Sequence, residues 1–189
     1  MSRIVKSLIG LAGSLVLYAE MPKGWFMAGT KPTEYESGID SGNAYGGLPS
    51  AYLRSKKAQV DVGFGTMMQN FSAEQYVGKR VRLSAFVKSE NIDRWAGLWM
   101  RIDGKVGQAP LAFDNMQDRP IKGTSAWRNY EVVLDVPAGA TGVFFGILLD
   151  GPGTVWLNGL KFEEVPTGIP TTDKVKAPAP GPSNLSFDK

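Results

Sequence analysis

The chain has 189 residues and a formal net charge of +3 at pH 7, and it fits one domain because a single hydrophobic core usually serves about 100–200 residues. It contains no His and no Cys, which excludes a Ser-His-Asp triad, a Cys nucleophile and any zinc or haem site built on those ligands. The small positive charge, without a basic run or an RNA-binding aromatic motif, predicts no nucleic-acid partner.

The first twenty residues have two interpretations. Arg3 and Lys6 precede an apolar stretch over Leu8–Ala19, the charge order and length of a secretory signal peptide. The stretch is too short for a membrane span, which needs about 20 apolar residues. Alternatively, Ser14–Ala19 forms a first strand after a short lead-in. We therefore predict 1–21 as a signal-peptide-like or lead-in segment, with export to the periplasm or outside the cell, and a cytoplasmic location as the alternative.

From Pro22 to Val165 the sequence predicts short strands joined by tight turns, because 23 Gly and 12 Pro punctuate segments rich in Val, Phe, Tyr and Trp. Period-two alternation is clearest in Arg80–Lys88 and Trp95–Asp103. The predicted strands are Lys23–Phe26, Tyr35–Ile39, Ser50–Arg54, Gln59–Gln69, Arg80–Lys88, Trp95–Asp103, Tyr130–Val136, Val143–Asp150 and Thr154–Val165. One helical turn is predicted over Ser72–Tyr76 from a capping box. The prediction is an all-β, antiparallel jelly-roll β-sandwich with one short helical turn.

The composition changes after Val165. Five prolines among Thr, Lys and Ala predict a Pro-rich linker or tail over 166–189. Leu185 and Phe187 fall on one side of a short extended piece at its end. That piece is interpreted either as a frayed terminus or as an edge strand that docks on this sandwich or on a partner.

The tryptophans divide into two predicted groups. Trp25, Trp127 and Trp156 are assigned to the core, together with Phe64, Phe145 and Tyr130, because a tryptophan in a β-rich chain usually packs. Trp95 and Trp99 are treated separately, because they lie beside charged residues.

Two stretches of sequence resemble known families. A tryptophan opens Trp127–Pro137, Ala138–Ala140 forms a turn, and Gly153–Val165 closes the pattern. With Gly24-Trp25, this block resembles bacterial carbohydrate-binding-type jelly rolls of the galactose-binding-like fold. The resemblance also implies a structural Ca²⁺ near the sandwich edge, but this chain has Asn158 where an aspartate is expected. We therefore predict no cofactor and no assigned metal ligands.

A second, more specific set of motifs lies in the middle of the chain. It comprises Tyr76–Ser84, Ala96–Gly104, Leu111–Met116 and Arg119–Thr124. These segments are similar to an uncharacterised family of bacterial jelly-roll domains that occur alone or attached to AraC-type transcriptional regulators. No helix-turn-helix pattern is visible here, so the resemblance does not carry over a DNA-binding part.

One strand supplies the main predicted binding residues. Alternation projects Trp99, Arg101 and Asp103 to the same side, with Trp95 nearby. Sugar binding needs such a mixture, because an aromatic ring covers the C–H face of a pyranose while planar charged groups bind hydroxyls in pairs. The alternative is a buried pair of Arg101 with Asp103 or Asp114 under a tryptophan lid.

The connection that follows contributes two further candidates. Asp114 and Asn115 are predicted to line the rim of the pocket, because loops carry function more often than cores do. The same residue types also bond their own backbone in turns. The predicted ligand-binding residues are thus Trp95, Trp99, Arg101, Asp103, Asp114 and Asn115.

Catalytic residues are not predicted. Asp103 with Asp114, or Glu163 with Glu164, would be the carboxylate pairs for glycoside hydrolysis, but no spacing places either pair suitably, and neighbours on a strand point to opposite faces. We predict a non-catalytic binding module for a carbohydrate or other small polar ligand. The alternatives are a structural or protein-interaction domain, and an effector-sensing domain linked to transcriptional regulation. The oligomeric state is not predicted.

Overall fold

A computed structural model describes residues 21–58, 62–173 and 185–186. The predicted 1–21 segment lies outside the described residues except for Met21, as does most of the Pro-rich tail beyond Asp173. None of the described helical segments is long and apolar enough to cross a membrane.

The described chain forms nine antiparallel strands and two 3₁₀ turns. The strands are β1 (Phe26–Gly29), β2 (Tyr35–Tyr45), β3 (Leu48–Ser55), β4 (Phe64–Ser72), β5 (Arg80–Asp103), β6 (Ala112–Asp114), β7 (Ile121–Asp135), β8 (Gly142–Asp150) and β9 (Thr154–Val165). The turns cover Pro32–Glu34 and Glu74–Tyr76. The all-β prediction is therefore confirmed, and the predicted helical turn is present as a 3₁₀ turn.

A single long strand joins the two halves of the sandwich. β5 pairs with β9 over Arg80–Glu90 and with β7 over Arg80–Ala96. It pairs with β8 over Trp95–Asp103 and with β6 over Met100–Ile102. The first half of the sheet has the order β2-β3-β9-β5-β7, and the second has the order β1-β4-β8-β5-β6. The two strands predicted at Arg80–Lys88 and Trp95–Asp103 are thus one strand. Its pairing with β7 shifts register three times, and Asn91 adopts a φ of 52° in the middle.

The core lies between the two halves. Val81, Leu83 and Val87 of the first half and Leu98 and Met100 of the second belong to one buried cluster. Alternation along β5 therefore places its other side chains on the outer faces of the sandwich. Those outer faces carry the remaining aromatic residues.

Three of the residues predicted in the core lie on outer faces. Phe64 packs in a separate cluster on the second half. Trp156 is buried, but its Nε1 donates to Asp40 Oδ2 at 2.7 Å and Lys88 lies over its ring. Trp127 packs against Tyr45, with a centroid distance of 5.1 Å. The assignment of Phe64 and Trp127 to the core was wrong, whereas Trp156 is buried as predicted but faces outward, because strand position, not side-chain size, decides which face a residue takes. Trp25, Tyr130 and Phe145 do belong to the core cluster or pack against it.

The chain beyond β9 stays attached to the sandwich up to Asp173. The Thr172 N–H donates to Val133 O at 2.8 Å, and the Val133 N–H donates to Thr172 Oγ1 at 2.9 Å. Arg80 Nη1 donates to the carbonyl oxygens of Thr167 and Ile169. We therefore describe Pro166–Asp173 as a strap along the edge of β7, while the linker prediction remains for the residues beyond it.

Candidate functional site

The outer face of the second half carries a second apolar cluster. Met68, Trp99 and Leu148 are buried in it, and five partly buried side chains pack around them. These five are Ala28, Phe64, Trp95, Phe113 and Phe144. An apolar cluster on the outside of a sandwich does not hold the two halves together, so it points to a surface that contacts something else.

A cleft of about 620 Å³ lies over this cluster, and we call it the outer cleft. Its lining residues are Phe26, Ala28, Gly29, Phe64, Thr66, Met68, Asn70, Trp95, Trp99, Arg101, Phe113, Asn115, Phe144 and Leu148. The volume falls within the range of about 300–1,000 Å³ that is typical of small-molecule sites. A neighbouring cavity of about 540 Å³ shares Asn70 and Phe144 with the outer cleft and extends to Asp103 and the loop 104–108.

Trp99 forms the floor of the outer cleft. It is 7% exposed, and its Nε1 donates to Thr66 Oγ1 at 2.8 Å. Trp99 lies opposite Gly146 of β8, and Gly146 lies opposite Met68 of β4. The hydrogen bond to Thr66 shows that the indole reaches across β8 to β4. A Cβ at Gly146 would lie 2.2 Å from the carbonyl oxygen of Met67, so this glycine is needed for the close packing of β4 against β8. Trp99 is therefore a buried platform under the cleft and exposes little ring area to a ligand.

Trp95 is the more accessible tryptophan. It is half-buried and lines the outer cleft. Its Nε1 donates to Asp150 Oδ2 at 3.2 Å, and Arg94 also donates to that carboxylate. The hydrogen bond fixes one edge of the indole, so the ring has a defined position beside the cleft.

Arg101 lies between two phenylalanines. In the sheet register it is opposite Phe113 of β6 on one side and Phe144 of β8 on the other. Its guanidinium carbon is 4.8 Å from the centroid of the Phe144 ring. Nε and Nη2 each donate to Asp103 at 2.8 Å, and the side chains of Arg101 and Asp103 are 37% and 28% exposed. The pair is therefore partly open to solvent, and its charges offset each other at the border between the two cavities.

Of the two residues predicted here, Asn115 in the loop after β6 lines the cleft, whereas Asp114, the last residue of β6, does not. Asn115 is half-buried, lines the cleft, and accepts a hydrogen bond from the Gln117 N–H at 3.1 Å. Asp114 is fully buried, accepts from the Met116 N–H at 2.8 Å and pairs with Arg119. Since its carboxylate has these partners and no exposure, we leave Asp114 out of the proposed binding residues.

Sequence reasoning missed Phe113 and Phe144 as cleft residues. Alternation in β8 places Phe144 with Gly146 and Leu148, but only the pairing of β8 with β5 brings Phe144 beside Arg101. No predicted strand included Phe113, which belongs to the three-residue strand β6. The missing signal was long-range register, which a single sequence does not contain.

The position of Asn158 does not fit the calcium ion that the family resemblance implies. Its Nδ2 donates to the carbonyl oxygens of Leu48 and Pro49 at 3.1 and 3.0 Å and to Ser50 Oγ at 3.0 Å, and its Oδ1 accepts from the Gly159 N–H at 2.6 Å. Carbonyl oxygens are ligands of the kind that Ca²⁺ uses. Here the Asn158 amide nitrogen donates hydrogen bonds to these carbonyl oxygens and so takes the place of a cation.

The opposite outer face contains a second polar arrangement around Trp156. Asp40 accepts hydrogen bonds from the Trp156 indole, the Asn43 side chain and the backbone of Gly42. Partial burial by itself raises the pKa of Asp40, but these hydrogen bonds outweigh it and hold the pKa below its ordinary value. These hydrogen bonds fasten the β2–β3 hairpin to Trp156 of β9.

Comparison with known proteins supports the fold and one homologous relationship. The chain is 45% identical over 173 residues to YbfP of Bacillus subtilis (strain 168), described as an uncharacterized HTH-type transcriptional regulator. The match covers 88% of this chain and 57% of the relative, so the chain spans little more than half of that protein. No family model matches the chain.

Solved structures share the jelly-roll sandwich at low sequence identity. The CBM22-1 xylan-binding domain of Paenibacillus barcinonensis Xyn10C superposes with a TM-score of 0.54 at 13% identity, over 77% of this chain and 88% of that domain. The enzymatically active domain of bacteriophage CBA120 tailspike protein 4 gives a TM-score of 0.53 at 14% identity, over 76% of this chain and 20% of that chain. The predicted carbohydrate-binding-type jelly roll is thus confirmed as a fold, and the regulator-named relative agrees with the predicted attachment to regulators.

Proposed function

We propose that this chain is a non-catalytic binding module whose outer cleft takes a neutral carbohydrate or another small polar ligand. The observation that carries the proposal is the outer cleft itself, where aromatic rings flank the partly exposed Arg101, whose partner Asp103 lines the neighbouring cavity. Aromatic rings favour the apolar faces of sugar rings, and paired charged groups bind vicinal hydroxyls. The carbohydrate-binding module among the structural neighbours supports the choice of ligand class.

The electrostatics of the cleft support a neutral ligand. Arg101 is already paired with Asp103, so an anionic ligand would have to displace that carboxylate. The remaining lining is mostly aromatic and aliphatic, with Asn70, Thr66 and Asn115 as its neutral polar residues. A neutral polyol loses less hydration free energy than an ion in such a site.

The carboxylates considered for glycoside hydrolysis have other partners. Asp103 pairs with Arg101, and Asp114 pairs with Arg119. Glu163 pairs with Arg82, and Glu164 pairs with Lys79, both on the first half of the sheet. Each of these carboxylates already bonds a cation, so neither pair presents two free carboxylates to a glycosidic bond. This arrangement supports binding without catalysis.

Effector sensing is the second candidate function. The relationship to a protein named as an HTH-type regulator favours it, and sensing would place the chain in the cytoplasm instead of outside the cell. The two functions differ in ligand size. A sensor of a small effector binds free mono- or disaccharides, whereas a polysaccharide-binding module is retained by the polymer and prefers longer oligomers.

Titration calorimetry with neutral xylo-, cello- and galacto-oligosaccharides of one to six units tests the proposal. We expect saturable binding, and we expect Trp95→Ala to weaken it about tenfold, since a ring contact and its buried area are worth about 1–2 kcal/mol. Arg101→Gln should weaken it similarly by removing the paired donors.

Trp127→Ala is the matched control, because it removes a half-buried tryptophan from the opposite outer face. Its affinity should equal that of the wild type. Flat titrations across the whole panel would refute carbohydrate binding. If the wild type and Trp95→Ala bind with equal affinity, and circular dichroism shows that both proteins are folded, the outer cleft is refuted as the site.

A further inference from the structure

We infer that Asp173 is a positioning residue for the outer cleft and couples it to the chain beyond the sandwich. This inference rests on the proposed function, because the cleft is taken as the ligand site. It begins from one contact, in which Asp173 Oδ1 accepts a hydrogen bond from the backbone N–H of Phe113 at 3.0 Å. Phe113 is a wall residue of the outer cleft.

The wall that Phe113 belongs to needs such support. β6 has three residues and lies at the edge of the second half, and among the nine described strands it pairs with β5 alone. Short edge strands have few ladder hydrogen bonds and are among the easiest parts of a sheet to open. The Asp173 carboxylate bonds the outward N–H of this strand and so replaces a missing neighbour strand.

A second fastening holds the other end of the same wall. Arg119 bridges Asp114 at the end of β6 and the carbonyl oxygen of Glu131 in β7. Gly97 lets this region pack closely, because a Cβ there would lie 2.7 Å from the carbonyl oxygen of Asn115. The wall is thus clamped by Arg119 on the β7 side and by Asp173 at its free edge.

The strap that carries Asp173 is itself fixed to the sandwich. Thr172 exchanges two hydrogen bonds with Val133 of β7, and Arg80 holds two carbonyl groups further back. Consecutive residues, Thr172 and Asp173, make the contact with β7 and the contact with β6. A ligand that contacts Phe113 therefore acts on the strap through Asp173.

Coupling of this kind is reciprocal. If the strap stabilises the binding geometry of β6, ligand binding must stabilise the strap by the same factor. The structure therefore points to a coupling in which ligand binding in the outer cleft stabilises the attachment of the strap at Asp173. Such a coupling suits an effector-sensing domain, although it operates equally in a simple binding module.

Amide hydrogen exchange tests the positioning role without any ligand. Asp173→Ala in the full chain should speed exchange of the Phe113 amide about tenfold, since it removes a charge-assisted hydrogen bond. Asp173→Asn should restore most of the protection, because its side-chain oxygen still accepts. Thr171→Ala, an exposed position on the same strap, should leave the exchange unchanged. Unchanged Phe113 exchange in Asp173→Ala overturns the inference.

Affinity and ligand-induced protection test the coupling. For a saccharide that the wild type binds, Asp173→Ala should lower affinity several-fold, Asp173→Asn should rescue it, and the ligand should slow exchange of the Thr172 amide. A purely structural contact would not make Thr172 respond to the cleft. Unchanged affinity in Asp173→Ala overturns the coupling and leaves the proposed function standing. If the wild type binds no saccharide, the proposed function fails, and Phe113 exchange alone decides the positioning role.

Discussion

Removing Arg119 should destabilise the sandwich more than any loss of a surface ion pair. Asp114 is 0% exposed, and its carboxylate is bonded by the Met116 N–H and by both terminal nitrogens of Arg119. Arg119→Ala would leave this charge with one backbone donor. Breaking a buried pair costs about 3–5 kcal/mol. Because the Arg119 side chain is 35% exposed, water can replace part of the pairing. We therefore expect Arg119→Ala to lower the free energy of unfolding by about 2–4 kcal/mol.

Urea unfolding followed by tryptophan fluorescence measures this loss. With an m-value of about 1–3 kcal/mol/M, the midpoint should fall by about 1 M or more. Asp118→Ala is the control, because Asp118 is the exposed partner of the same arginine, and it should cost no more than about 0.5 kcal/mol. The loss of stability in Asp114→Asn should lie between those of Arg119→Ala and Asp118→Ala, since this change removes the buried charge but keeps an acceptor for the Met116 N–H. An Arg119→Ala midpoint within error of wild type would show that Asp114 does not depend on this pair.

Two further perturbations test the hydrogen bonds of the first half. Asn158→Asp should lower the free energy of unfolding by about 1–3 kcal/mol in the presence of EDTA, because it places a carboxylate against two carbonyl oxygens. Adding Ca²⁺ should leave the stability of the wild type unchanged. A rise in stability would contradict our interpretation of Asn158. The lowered pKa of Asp40 contributes stability that is present above its unfolded-state pKa of about 3.8 and is lost as the pH falls through the lower, folded-state value. Thermal unfolding between pH 6 and pH 2.5 should therefore show a smaller acid-dependent loss in Asp40→Asn than in wild type, and parallel curves would refute the assignment.

β5 shows which part of the fold local sequence determines. Alternation assigned the faces of Arg80–Lys88 and Trp95–Asp103 correctly, because side-chain direction along a strand has a period of two. The polar segment between them resembles a loop, yet it continues the strand. Tertiary pairing decides this, since Ser89 and Ile92 find partners in β7 despite the register shifts.

The tryptophans show the limit of arguments from residue type. Trp156 was expected in the core and is indeed buried, but on the outside, where the Asp40 hairpin covers it. Burial alone does not distinguish an inner face from a covered outer face. Only the register, in which Trp156 lies opposite Lys88, identifies the face.

The candidate site was predictable in its β5 component and not beyond it. Trp99 and Arg101 share a face by alternation, and that much follows from one strand. Their contrasting exposure depends on neighbours across the sheet. The Trp99 indole is buried with Met68 and Leu148, whereas the Arg101 guanidinium lies over the Phe144 ring and is partly exposed. The choice between a sealed core and an open cleft, which sequence left undecided, is thus resolved residue by residue along the strand.

The neighbours of Arg101 show how the two candidate functions make different demands on the same cleft. Its neighbours Phe113 and Phe144 belong to strands of different strength, because β8 is paired along nine residues on both sides while β6 is paired along three. A ligand held between these rings has one rigid wall and one that depends on the strap. A binding module needs that second wall fixed, whereas a sensor needs its fixation to depend on the ligand. The hydrogen bond from Phe113 to Asp173 can serve either purpose. The shape of the cleft therefore does not separate the two functions; the strength of this hydrogen bond, compared with the affinity for the ligand, does.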